Sequence, residues 1–227
     1  TKNGKPILAN DPHIGISKPD VWYEAHISYP GHNNYGYYVP MIPFPLIGHD
    51  DCKAWGLTMF ENDELDLYSE TFHPENKNQV LSHGNWVDCD IIQETISTNS
   101  GKDTTISIQV TSNGPIVTKN LKHYEGTPIS MFWVFYQLEN PIFDILHELS
   151  YAKTMDDFKE NLSKVISPGL NFSYADTSGN IAWWAAGKLP VRNPNVYAKE
   201  ILNANDSNHL VLSYVPFEKN PHLVNPE

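Results

Sequence analysis

Two segments that join an apolar run to tight-turn residues constrain the fold of this chain most. Residues 4–15 read GKPILANDPHIG, so a short apolar run leads into an Asn-Asp-Pro turn. Residues 48–59 read GHDDCKAWGLTM, so a turn rich in Gly and Asp leads into a second apolar run. Apolar runs bounded by turn residues predict two strands. We expect the two bends to lie side by side in the folded chain.

The rest of the chain predicts further strands and a late helical region. Residues 21–28 alternate as in a half-buried strand, and the unbroken apolar run 131–136 is typical of a strand covered on both faces. Thr154, followed three residues later by Asp157, resembles a helix capping box. Residues 176–180 (DTSGN) predict a hairpin turn between two strands. We therefore predict an α+β layered fold, with one domain over residues 1–227.

Charge and composition exclude several classes of protein. The 227 residues carry a formal net charge of −12, which disfavours nucleic acid and anionic membrane surfaces as partners. No apolar run has the length of a membrane-spanning helix. The histidines and cysteines show no zinc-binding spacing, and no Gly-x-Ser-x-Gly motif is present. Cys52 and Cys89 are equally compatible with a disulfide and with two free thiols.

Residues 4–15 and 48–59 together resemble the start of the large chain of the penicillin amidase (penicillin and cephalosporin acylase) family, with weaker similarity over 168–192 and 214–226. That family belongs to the N-terminal-nucleophile hydrolases, which cleave amides with a serine freed at a chain start. The resemblance implies a four-layer α/β/β/α sandwich. The family serine lies about one strand before the Gly-Lys-Pro turn, and this chain begins at Thr1. We therefore expect a truncated domain without its first strand and nucleophile, inactive alone.

The resemblance assigns two residues to the reaction centre. His13 matches the position that helps to orient the amino group of the nucleophile, although a turn histidine that caps backbone groups would fit the same residues. Met59 matches the position whose backbone N–H points into the oxyanion hole. One such donor lowers a barrier by about 3 kcal/mol. A second oxyanion donor, an asparagine, is expected just beyond Glu227.

The resemblance also predicts the lining of an acyl-binding cavity. The matching residues are all apolar: Ile14, Ile47, Leu57 and Met59. Taken singly, each of these fits an ordinary core position equally well. Together they favour a hydrophobic acyl chain or aromatic ring over a charged group.

An acidic run follows the second segment, at residues 61–66. In many family members a structural calcium ion lies here, and the matching ligands are Asp63, the carbonyl of Leu65, Asp66 and the carbonyl of Pro190. Carboxylate and carbonyl oxygens are the ligands that calcium prefers. A solvated acidic loop fits the same run. We predict a possible structural calcium and no organic cofactor.

The predicted function is therefore part of an amidohydrolase that acts on a small-molecule amide with a hydrophobic N-acyl group, such as a penicillin-type β-lactam or an acyl-homoserine lactone. The expected partners are the small α chain and the rest of the β chain of the parent protein, with no nucleic acid and no membrane. The resemblance implies a periplasmic or secreted protein of a prokaryote. Two alternatives stay open. One is a calcium-dependent structural module. The other is a sugar-binding module with an aromatic platform, whose candidate residues are Trp22, Tyr23, Tyr35, Tyr37, Tyr38, Trp183 and Trp184.

Overall fold

Strands carry most of the regular structure in the computed structural model, which describes residues 4–226. The strands, numbered along the chain, are β1 Tyr23–Tyr29, β2 His32–Tyr38, β3 Ile47–His49, β4 Lys53–Met59, β5 Leu65–Ser69, β6 Gln79–Ser82, β7 Asn85–Asp88, β8 Asp90–Ile96, β9 Thr104–Thr111, β10 Gly114–Pro115, β11 Ile129–Trp133, β12 Leu170–Asp176, β13 Ile181–Ala186, β14 Pro190–Val191, β15 Leu202–Asn203, β16 Ser213–Tyr214 and β17 His222–Val224. The α-helices are α1 Val134–Gln137, α2 Ile142–Tyr151 and α3 Met155–Leu162, and 3₁₀ turns cover Thr118–Asn120, Ser207–His209 and Phe217–Lys219.

The described residues group into two compact units. Unit 1 contains residues 4–62, 139–189 and 215–226, and unit 2 contains residues 63–138 and 190–214. The assignment of one domain to residues 1–227 stays a prediction, and Thr1 and Glu227 lie outside the described residues. No helix among residues 4–226 is long and apolar enough to cross a membrane.

Unit 1 is built on a seven-stranded antiparallel sheet in the order β1-β2-β3-β4-β12-β13-β17. Alternate residues of its central strands, such as Trp55, Leu57 and Phe172, are buried in one core with the apolar sides of α2 and α3. Because successive side chains on a strand point to opposite faces, Gly56, Thr58 and the neighbouring residues of the same parity lie on the other face. The sheet thus has a helix-covered face and an opposite face.

Two local predictions are confirmed in unit 1. The side chain of Thr154 accepts a hydrogen bond from the Asp157 N–H (3.1 Å), and the Asp157 carboxylate accepts one from the Thr154 N–H (3.0 Å). This reciprocal pair is a capping box, and it begins α3. The turn 176–180 joins β12 to β13, and the Asp176 carboxylate accepts hydrogen bonds from the backbone and side chain of Asn180.

Two predicted strands are wrong in whole or in part. The apolar run 7–9 forms no strand, since residues 5–17 have no regular secondary structure and Ile7 is exposed. An apolar run forms a strand only where a neighbouring strand has free backbone groups to pair with it. This segment instead contacts β4 through the side chain of Asn10. The predicted strand 131–136 ends at Trp133, where α1 begins.

Unit 2 consists of small sheets, in the orders β10-β9-β8, β11-β5-β15, β14-β16 and β6-β7. Its core is formed by Tyr68, Leu202 and Ala204, with partly buried apolar residues packed around them. The buried Glu70 accepts hydrogen bonds on Oε1 from Thr111 (2.9 Å) and Ser130 (2.6 Å). A carboxylate bonded in this way joins β9 to the sheet of β5 and β11.

Candidate active site

The candidate site lies at the end of β4, where Met59 faces an open side of the sheet. Met59 stands opposite Leu170 of β12, and the next residue, Phe60, donates its N–H to the Gly169 carbonyl (3.0 Å). Hydrogen-bonded and non-hydrogen-bonded pairs alternate along an antiparallel ladder, so the Met59 N–H points away from β12. On that other side β3 pairs only with the beginning of β4. The backbone donor predicted from the resemblance is therefore directed away from the ladder with β12.

The first predicted bend lies on this same side of β4. The side-chain amide of Asn10 donates to the Leu57 carbonyl (3.0 Å), two residues before Met59. Gly56 is packed so closely that a Cβ at this position would lie 2.5 Å from the Asn10 Cγ. The Asn-Asp-Pro turn is thus held against the second segment by a side chain that replaces a partner strand. The expectation that the two bends lie side by side is confirmed.

A cavity of about 480 Å³ opens where the two bends meet. From the first bend it is lined by Pro12, His13 and Ile14, and from β4 by Leu57 and Met59. Further apolar walls come from the loop before β3 and from α2, through Leu46, Ile142 and Leu146. The volume is within the range of small-molecule pockets, and the largely apolar lining suits an apolar group.

One of the four residues predicted to line the acyl cavity does not line it. Ile47 is not among the residues around this cavity: it pairs with Tyr37 in the sheet and packs against the core, and its neighbour Leu46 lines the cavity instead. Both residues pack against the core, and Leu46, which lies just before β3, also reaches the cavity. Ile142 and Leu146 were missed because nothing in a helix's own sequence shows which strand end it covers. Their spacing of four residues, which places them on one helical face, was the available signal.

His13 is largely exposed at the mouth of the cavity, with 89% of its side chain accessible. Its Nδ1 lies 3.2 Å from the Asp11 carbonyl. A carbonyl only accepts hydrogen bonds, so Nδ1 donates, and in the neutral imidazole Nε2 is then the acceptor. This tautomer can accept a hydrogen bond from an amine or a water at the cavity mouth.

The predicted calcium ligands lie in unit 2, where an arginine already pairs with both aspartates. Arg192 forms a bidentate pair with the buried Asp66, with Nε–Oδ2 and Nη2–Oδ1 distances of 3.0 Å. It also donates to the Asp63 carbonyl (2.9 Å) and lies 3.4 Å from the Asp63 carboxylate. Burial raises the pKa of Asp66, and Arg192 offsets part of that effect. Leu65 and Pro190 lie in the short strands β5 and β14 beside this cluster.

These residues alone do not fit a calcium ion. Calcium takes six to eight oxygen ligands. Among residues 4–226, no group of three or more His, Cys, Asp or Glu side chains is arranged to hold a metal ion. The Arg192 guanidinium also supplies the positive charge that Asp66 needs. Calcium at this position stays a prediction, and it requires carboxylates from outside this set.

The two open alternatives, a sugar-binding module and a calcium-dependent structural module, stay untested. Two of the seven candidate platform rings, Tyr38 and Trp184, are buried. Cys52 and Cys89 are both free thiols, one exposed and one buried.

Comparison with known sequences decides the family. The sequence model described as penicillin amidase matches residues 1–227. The chain belongs to the penicillin amidase family. Its relatives in this family include the acyl-homoserine lactone acylase QuiP of Pseudomonas aeruginosa, which is 27% identical over 85% of this chain and 24% of the relative. The penicillin G acylase of Escherichia coli is 24% identical over 100% of this chain and 26% of the relative.

A solved structure shows the same fold. The thermostable penicillin G acylase of Alcaligenes faecalis matches with a TM-score of 0.82 and 23% identity, over 95% of this chain and 38% of that chain. The mixed sheets and few helices described above are thus those of a penicillin amidase. The chain spans about a quarter of the length of the curated relatives it matches.

Proposed function

We propose that this chain forms the acyl-binding cavity and one oxyanion donor of an enzyme that hydrolyses linear amides with a hydrophobic N-acyl group. One observation carries the proposal. The Met59 N–H is directed to the open side of β4, and the bend at residues 11–14 and an apolar cavity of about 480 Å³ lie at the same strand end. A backbone donor beside an apolar cavity is what an acyl-transfer site requires.

The nucleophile in this proposal is a serine at a chain start that lies outside the 227 residues. Its α-amine, with an unperturbed pKa of about 8, accepts the hydroxyl proton near neutral pH. The oxygen attacks the amide carbonyl, and the Met59 N–H stabilises the oxyanion. The leaving amine takes the proton, an acyl-enzyme forms, and water then releases the carboxylic acid. His13 Nε2 orients the amine of the nucleophile or a water bound to it.

The walls of the cavity support a hydrophobic acyl group. Leu57, Met59, Ile142 and Leu146 are apolar. Each CH₂ group buried against such walls contributes about 0.8 kcal/mol. Aliphatic amides, acyl-homoserine lactones and penicillin-type β-lactams all place an apolar acyl group there, and we propose this class as the substrate.

Four properties of the whole protein follow as further proposals. We infer that it is completed by a small α chain and the remainder of the β chain, with no nucleic acid or membrane partner. We infer the four-layer α/β/β/α arrangement, which the TM-score of 0.82 to a penicillin G acylase supports at the level of the fold. We propose a structural calcium held partly by Asp63 and Asp66, and a periplasmic or secreted location. The similarity to bacterial acylases supports the location, whereas the calcium is proposed from the carboxylate and carbonyl oxygens of residues 63–66.

The test uses the natural full-length protein and N-acyl p-nitroanilides with acetyl, octanoyl and phenylacetyl groups. We expect release of p-nitroaniline and of the free acid, fastest for the apolar acyl groups. Met59→Trp narrows the cavity without removing the backbone N–H, and should raise KM for the octanoyl substrate about tenfold or more. Leu212→Trp is the matched control, because Leu212 is as exposed as Met59 (61% against 60%) and lies outside the cavity.

Two results would overturn the proposal. One is a full-length protein that cleaves none of the three amides. The other is a Met59→Trp variant whose preference among acyl groups equals that of the wild type. The 227-residue chain alone should show no turnover, and measurable hydrolysis by it would refute the placement of the nucleophile outside this sequence.

A further inference from the structure

Asn171 contacts the backbone of the residue that carries the proposed oxyanion donor. It lies on β12 directly opposite Thr58. Its side-chain Nδ2 donates to the Met59 carbonyl (2.9 Å) and lies 3.3 Å from the Thr58 hydroxyl oxygen. The Met59 carbonyl and the Thr58 side chain are therefore both next to this one amide.

A tryptophan fixes the orientation of the Asn171 amide. Trp183 on β13 donates its Nε1–H to Asn171 Oδ1 (3.2 Å). An indole nitrogen only donates, so the oxygen of the amide must face Trp183 and the NH₂ group must face Met59. The hydrogen bonds thus run from Trp183 through Asn171 to Met59, across three neighbouring strands.

Asn171 acts from the face of the sheet opposite to the acyl cavity. Its strand neighbours Leu170 and Phe172 are buried in the helix-covered core, so by strand alternation Asn171 points to the opposite face. It is not among the residues that line the cavity. It therefore touches the backbone of Met59 and not the space for an acyl chain.

We propose that Asn171 is a positioning residue that fixes the Met59 peptide in the orientation needed for oxyanion binding, with Trp183 holding Asn171 in turn. The inference rests on the proposed function. Met59 is the last residue of β4, and β3 ends before it, so the ladder holds it on one side only. The Phe60 N–H bond to Gly169 and the Asn171 bond to the Met59 carbonyl hold the two ends of the peptide that directly follows the donor residue, so Asn171 supplies its second anchor. An oxyanion donor is effective only when it is held in place before the charge develops.

The decisive variant is Asn171→Asp in the natural full-length protein. It keeps the shape and the acceptor for Trp183 but replaces the donor to the Met59 carbonyl by a carboxylate oxygen. We expect kcat to fall about 10- to 100-fold, the range expected when a catalytic group is displaced by about 1 Å. KM and the inhibition constant of the product acid should stay within about threefold, because the cavity is unchanged. Trp183→Phe, which removes only the Nε1 donor, should lower kcat about threefold.

Asn161→Asp is the matched control. Asn161 donates its side-chain amide to the Asp157 carbonyl (3.1 Å) on α3, so the substitution removes the same kind of bond away from the site. It should leave kcat unchanged. The inference is overturned if Asn171→Asp keeps wild-type kcat, or if kcat, KM and the unfolding midpoint all change as in a general loss of folding. A wild-type protein without amide hydrolysis refutes the proposed function and this inference together, whereas an active wild type with an unaffected Asn171→Asp variant refutes the inference alone.

Discussion

Replacing Gly56 by alanine tests whether the two bends are held together as described. A Cβ at position 56 would lie 2.5 Å from Cγ, 2.6 Å from Cβ and 2.7 Å from Oδ1 of Asn10. All three distances are shorter than any normal contact of a Cβ, so the Asn10 side chain must move. Its hydrogen bond to the Leu57 carbonyl is then lost.

The expected loss of folding free energy in Gly56→Ala has two contributions. Leaving the Leu57 carbonyl without its partner costs about 1–3 kcal/mol. Forcing a methyl group into a packed site costs about 1–3 kcal/mol more. Because some of the strain is relieved when Asn10 moves, we expect a total of about 2–4 kcal/mol. If these 227 residues unfold as one cooperative unit of the full-length protein, this corresponds to a fall of roughly 5–15 °C in the unfolding midpoint of that unit. Amide hydrolysis should fall further than stability, since the segment that carries His13 moves with Asn10.

Calorimetry of the natural full-length protein measures the fall in the unfolding midpoint, with Gly15→Ala as the control. A Cβ at Gly15 meets nothing within 4 Å, so this variant should unfold within about 1 °C of the wild type. Combining Gly56→Ala with Asn10→Gly removes every atom that the new methyl group meets. If Gly56→Ala costs as much in the Asn10→Gly background as in the wild type, the close packing of Asn10 on Gly56 is not the cause, and the reasoning fails.

Three further predictions concern the rest of the chain. Lys53→Met should cost about 3–5 kcal/mol, because it leaves the Asp50 carboxylate, whose side chain is only 6% exposed, without the Lys53 Nζ that lies 2.6 Å away, and adding Asp50→Asn should restore part of the loss in chemical unfolding. Burial opposes ionisation of Asp50, but hydrogen bonds from Lys53 and two backbone N–H groups outweigh this effect and lower the pKa of Asp50 below 3.8. The ionised carboxylate therefore stabilises the folded state fully above pH 4, and this contribution is lost as the pH falls through the lowered pKa. An acid titration of unfolding will measure it. Calcium should raise the unfolding midpoint of the full-length protein, and Asp63→Asn should reduce the rise; no shift with calcium would contradict the predicted ion.

Local sequence predicted those features whose causes are local. The capping box of α3 depends on two side chains three residues apart, and the turn at 176–180 depends on its own Asp and Gly residues. Apolar runs were less reliable. The run 131–136 contains a strand and the beginning of a helix, because composition does not show where a neighbouring strand ends.

The candidate site was predictable only as far as the resemblance reached. Ile14, Leu57 and Met59, three of the four residues predicted for the acyl-binding cavity, line one cavity, and His13 lies at its mouth. Leu46 lines the cavity where Ile47 was expected, although both residues pack against the same core. The contribution of α2 and the contact from Asn171 are long-range, and Asn171 lies 113 positions from Thr58 in the chain. No property of either segment alone specifies such a pairing.

Strand alternation at the end of β4 separates two properties of the proposed enzyme: the fit of the acyl group and the anchoring of the backbone at Met59. Leu57 and Met59 share the face that meets the acyl cavity, whereas Gly56 lies on the opposite face, where Asn10 and Asn171 approach; Thr58 contacts both the cavity and Asn171. A substitution on the cavity face changes which acyl group fits, but leaves the anchors of the Met59 peptide in place. A substitution on the opposite face alters these anchors, and at Gly56 it also shifts the bend that carries His13. Substitutions at positions 57 and 59 can therefore change which acyl group is preferred without loss of the oxyanion donor, because only a proline at position 59 removes the backbone N–H.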